Sequence, residues 1–154
     1  MRRRLAHFSS KQELELELLR TAERLFDREV LQPALAAPPG LPRLRAFFRR
    51  WLGWAPRAGL PGGCPHAAAV FESDDVNGPV RDYLVAGTNA LGALVEGLVG
   101  AAAELGHLPS DVDAGQLAWE LRGIYLTHHV AQRLMHDPGA DRRARVAFDA
   151  LVSR

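Results

Sequence analysis

The segment PVRDYLVAGTNALGALVEGLVGAAAELG, residues 79–106, constrains this chain more than any other. After its first position it has no proline and few residues that would stop a helix. At 1.5 Å per residue a helix of this length reaches roughly 40 Å. From Tyr83 to Gly106 it is nearly uncharged, and that length would suffice for a membrane span. Thr88, Asn89, Glu96 and Glu104 interrupt it, however, together with several glycines. It is therefore expected to be a buried core helix with no membrane partner, and the rest of the chain must supply its neighbours.

Those neighbours read as further helices. QELELELLRTAERLF opens with strict alternation, but Leu14, Leu18, Ala22, Leu25 and Phe26 recur at three- and four-residue spacing. Ser10 and Glu13 form an S-x-x-E capping box at the start, so a helix is predicted over 11–31, ended or kinked at Pro33. A second is predicted over 42–54, with Leu44, Phe47, Phe48, Trp51 and Leu52 forming an aromatic face that must be buried. PHAAAVFES is a short helix with Pro65 in its first turn. LPSDVDAGQ is a loop with an aspartate cap before a helix over 114–135, and a last helix is expected over 141–152. No segment carries a strand or hairpin signal, so the predicted fold class is all-α, a helical bundle.

The helix over 114–135 has two apolar faces. Leu117, Leu121, Ile124 and Met135 follow one, through His128 and Ala131, while Trp119, Leu126, Val130 and Leu134 lie away from it. A surface helix of a monomer buries a single face. Two faces imply two packing partners, the chain's own core and a second copy, or else a helix central to its own domain.

Charge and cysteine content narrow the function classes. Nineteen Lys+Arg against eighteen Asp+Glu leave a formal charge of +1, so any nucleic-acid role must rest on a local patch. Arg2, Arg3 and Arg4 are the one obvious patch, and no apolar run of signal-peptide length follows them. The lone Cys64 allows no internal disulfide and no thiolate-rich zinc site, which with the missing signal predicts a cytoplasmic protein. His128, His129 and His136 lack the spacing for direct chelation, Asp74-Asp75 reads as a capped turn, and no phosphate loop or nucleophile elbow is present. No metal, cofactor or catalytic residue is predicted, and the chain is not expected to be an enzyme.

Three segments resemble the tetracycline-repressor (TetR/AcrR) family of transcriptional regulators. LAHFSSKQEL is similar to Y-x-H-F-x-S-K-x-x-L, where a recognition helix ends and the fourth helix begins. GLPGGCPHAAAVFESDDVNGPVRDYLV resembles the P-G-G-C…D-D-x-x-G-P-V-R-D run of one branch, and QLAWELRGIYLTHHVAQRLMHDP resembles that branch's penultimate helix. The resemblance implies a three-helix DNA-binding unit followed by a C-terminal domain that encloses an effector pocket and dimerises through its last two helices. Residues 1–9 would then be a remnant of the helix-turn-helix, with Leu5 where the family has tyrosine, and 10–154 the effector-binding and dimerisation domain. His7 and Lys11 match phosphate-contacting positions, but reading an operator needs the bracing helices that 1–9 do not hold. The expected function is accordingly that of a truncated regulator, able to bind DNA only with those helices present.

On this reading Phe47, Trp51, Trp54, Phe71, Tyr83, Asn89 and Trp119 are the expected lining of a pocket for an apolar or aromatic small molecule. Leu117, Leu121, Ile124, His128 and Phe148 are the expected homodimer interface. Two rival readings are a headless interaction module that pairs with intact regulators and a helical-bundle carrier or enzyme.

Overall fold

A computed structural model describes residues 10–153, and within them every regular element is helical. Helix α1 (Lys11–Phe26) starts where Ser10 accepts a hydrogen bond from the Glu13 amide at 3.1 Å, as the capping pattern predicts. The remnant expected over 1–9, with His7, lies outside the described residues.

Pro33 does not end the first rod. A π-helical turn, Asp27–Leu31, precedes it and leads directly into α2 (Gln32–Leu35). The Gln32 amide donates to the Asp27 carbonyl five residues back. A proline lacks an N–H and crowds the carbonyl four residues behind it, so a widened turn lets the helix pass where a regular one would break.

Helix α3 (Leu41–Trp51) buries Leu44, Phe47, Phe48 and Trp51 at no more than 2% exposure. Gly53 then adopts a left-handed conformation (φ 60°), which turns the chain at once into the short α4 (Trp54–Arg57). This reversal buries Trp51 and Trp54 in the same core three residues apart. Helix α5 (Pro65–Ser73) follows, then the long α6 (Pro79–Glu104), α7 (Ala114–Arg133), capped by Asp113 Oδ1 on the Gln116 amide at 2.9 Å, and α8 (Ala140–Val152).

Helix α6 packs against α1, α3, α5 and α7, and α7 packs also on α8. Its apolar composition would suit a membrane span, but only one stripe is buried: Val95, Leu98, Val99 and Ala102 sit in the main core. Val80 and Leu84 join Leu19 of α1 in a smaller cluster. The expectation of a buried helix thus holds for one side; the other carries mainly small and polar residues, with Val85 46% exposed among them. Between those two clusters, the middle of α6 borders a void.

Candidate functional site

The void is a cavity of about 410 Å³ enclosed by α1, the π-helical turn, α3, α4, α5, α6 and α7. Its aromatic walls are Phe26, Trp51, Trp54 and Tyr125. The rings brace one another. Trp51 stacks on Tyr125 with centroids 4.3 Å apart and planes 14° apart, Phe26 meets Trp54 edge-on at 5.2 Å, and Trp54 Nε1 donates to the Tyr125 hydroxyl at 3.2 Å. That last bond satisfies two polar atoms that would otherwise be buried alone. Burial also pushes the Tyr125 phenol well above its ordinary range, so it stays neutral.

Glycines on α6 make room for polar side chains at the opposite wall. A Cβ on Gly87 would stand 2.7 Å from His66 Nε2, and one on Gly92 would stand 3.1 Å from an Arg122 guanidinium nitrogen. Both His66 and Arg122 line the cavity. Burial holds the His66 pKa below its ordinary value, with Glu23 pulling weakly the other way, so His66 is a neutral ring here at neutral pH. Exposed Glu23, Ala90 and Leu126 form the rim. Tyr83 stands behind that rim, its hydroxyl donating to Glu23. Partial burial, and next the carboxylate beside it, push the phenol up to about 12.

The arrangement is a mostly apolar chamber with a few placed polar groups, the build of a small-molecule site rather than a solid core. Among the described residues no group of three or more His, Cys, Asp or Glu could hold a metal ion.

Residues 40–148 match the family model for the tetracyclin repressor-like, C-terminal domain. The chain belongs to that family. A TetR transcriptional regulator from Chloroflexus aurantiacus J-10-FL has the same fold, with a TM-score of 0.81 over 97% of this chain and 74% of that one, at 23% identity. No curated protein is significantly similar in sequence.

In this tetracyclin repressor-like domain the sequence-predicted lining divides. Trp51 and Trp54 are cavity walls. Phe47 is displaced one layer back, 1% exposed and edge-on to Phe26 at 6.1 Å, and Tyr83 is outside the lining as described. Phe71 (63% exposed), Trp119 (67%) and Asn89 face solvent, because α5, α7 and α6 each turn a different stripe inward. Phe26, Tyr125 and Arg122 take part instead. Tyr125 was legible as the i+4 neighbour of Leu121, and Arg122 as a lone charge inside the apolar run LRGIYL.

The residues expected at an interface lie inside the protomer. Leu117, Leu121, His128 and Phe148 are each at most 5% exposed inside the protomer, and Ile124 is half-buried against the same core. Phe148 stacks on Phe48 at 4.7 Å, and His128 Nε2 bonds Asp141 at 2.6 Å. Side chains so enclosed have no surface to offer a second copy. On the opposite face of α7, Trp119, Leu126 and Val130 are 67%, 38% and 44% exposed, and Val146 of α8 is 59% exposed. Lys11 is exposed in the first turn of α1 and pairs with Glu15 at 3.2 Å.

Proposed function

We propose that this chain is the effector-binding and dimerisation domain of a TetR-type transcriptional regulator working in the cytoplasm without catalysis. The observation that carries the reading is α7. Its inner residues Leu121 and Tyr125 close the core and the cavity, while Trp119, Leu126 and Val130, roughly half a turn away at 100° per residue, form an exposed apolar stripe. Exposed large apolar residues in a row are a surface awaiting a partner. Two copies pairing along α7 and α8 about a two-fold axis would cover that stripe and Val146.

Leu126 belongs both to the stripe and to the cavity rim. A ligand that fits one arrangement of these helices better than another therefore biases how the two copies sit, which is the linkage a regulator needs. Joined to a complete three-helix reader, that bias would alter the spacing of two recognition helices. Lys11, at the start of α1, is placed for a phosphate contact in such a chain.

Light scattering at micromolar concentration tests the pairing. The chain is expected at twice its 16.9 kDa mass, and Val130→Glu, which puts a charge in the stripe and leaves the core alone, is expected at the single mass. A wild-type monomer would overturn the dimerisation reading.

A further inference from the structure

We infer that the ligand of this cavity is an apolar monoanion, a carboxylate on an aromatic or aliphatic body, whose acid group is bound by Arg122. The inference rests on the effector-pocket reading above and names the ligand class for it.

Besides His66, the cavity's lining holds two acidic side chains, Glu23 and Asp27, and one basic one, Arg122. Both carboxylates are already engaged: Glu23 accepts from the Tyr83 hydroxyl, and Asp27 accepts from Gln32 Nε2 at 3.1 and 3.4 Å. Arg122 differs. Among the described residues it makes no hydrogen bond and no ion pair, although it is partly buried. A guanidinium has five donors in a planar fork matched to a carboxylate. This one lies against α6 where Gly92 has no side chain to push it out.

Position supports the same assignment. On α7, Arg122 falls between the inner face of Leu121 and Tyr125 and the outer face of Leu126, at the edge of the cavity. A ligand with its apolar body among Trp51, Trp54 and Tyr125 would bring a terminal acid group toward that edge. His66, neutral across the chamber, neither repels the anion nor competes for it. A cationic ligand would find only Glu23 and Asp27, each already accepting a hydrogen bond, and would stand in the field of Arg122.

Three probes of one shape decide the point: naphthylacetate, naphthylethanol and naphthylethylamine, each measured by equilibrium dialysis against the whole chain. The acid is expected to bind at least about tenfold tighter than the alcohol, as one charge-assisted pair would give, and the amine more weakly still. Arg122→Gln should bring the acid down to the alcohol and leave the alcohol unchanged, and Arg122→Lys should recover part of the difference. Since Arg122 has no hydrogen-bond or ion-pair partner among the described residues, neither variant should change helix content by circular dichroism. Equal binding of acid and alcohol, an acid affinity indifferent to Arg122→Gln, or a preference for the amine overturns the assignment while leaving the pocket standing. If none of the three binds saturably, the pocket reading itself falls and takes the assignment with it.

Discussion

Helix α3 feeds two aromatic clusters that differ in what surrounds them. Phe48 stacks on Phe148 at 4.7 Å in a region closed on all sides, both rings at 2% exposure or less. One turn on, Trp51 is just as hidden from solvent and stacks as closely on Tyr125, yet its other neighbour is a cavity. Burial alone does not separate the two. The difference is whether protein atoms fill the far side of the ring, and that is what distinguishes a closed cluster from one that borders a chamber.

The comparison breaks most sharply on deletion. Phe148→Ala is expected to cost about 3–5 kcal/mol in urea denaturation, the range for removing a packed aromatic ring, and to leave probe affinity unchanged. Trp51→Ala is expected to cost about 2–3 kcal/mol, below that range, because one flank of the indole already lacks contacts, and it should weaken probe binding. Equal costs would mean that the chamber is no looser than the core around Phe148. Tyr125→Phe should cost about 1–2 kcal/mol, since it orphans the Trp54 N–H that the hydroxyl now accepts.

Smaller effects come from the two kinds of glycine on α6. Around Gly97 nothing stands within 4 Å of an added Cβ, so Gly97→Ala is expected to stabilise by about 0.5–1 kcal/mol in thermal melts. Gly87→Ala should lose that gain, because the His66 ring must swing away from a methyl group placed 2.7 Å from its Nε2, and the displaced ring should reduce probe uptake.

The smallest effect is one of pH. His66 is more reluctant to protonate when folded than a free imidazole is. The unfolded chain therefore binds more protons below about pH 6.5, and stability falls as pH drops from there until the lowered folded pKa is passed. His129, held down first by burial and then by Arg133 and His128, contributes in the same direction. His66→Gln should flatten part of that slope in melts taken between pH 7.5 and 5, a range chosen to span roughly the free imidazole value.

Much of this was legible in the sequence. The Ser10 cap, the Asp113 cap, the aromatic face of α3 and the two-faced α7 follow from short-range patterns, and each stands in the structure as read. At Pro33, where the sequence predicted an end or a kink, the chain takes a widened turn and runs on as helix. Elsewhere the deciding contact lay far along the chain. Periodicity shows that α7 has two apolar stripes but carries no sign of which one the protomer covers; in the structure it covers the one that holds Leu121. Trp119 and Phe71 are as aromatic as Trp51, and only tertiary packing tells a wall from a surface. The glycines of α6 look alike in sequence; His66 and Arg122, arriving from other helices, give Gly87 and Gly92 their roles.

The claim that the chamber beside Trp51 is a ligand site is tested most directly by uptake of neutral naphthylethanol by the wild-type chain and by Ala90→Phe, which places a ring at the exposed rim without touching the core. The account predicts saturable binding of one molecule per chain, lost in Ala90→Phe and kept in Val76→Ser, a change at an exposed residue outside the cavity lining. Binding that does not saturate, or that survives Ala90→Phe undiminished, would contradict it.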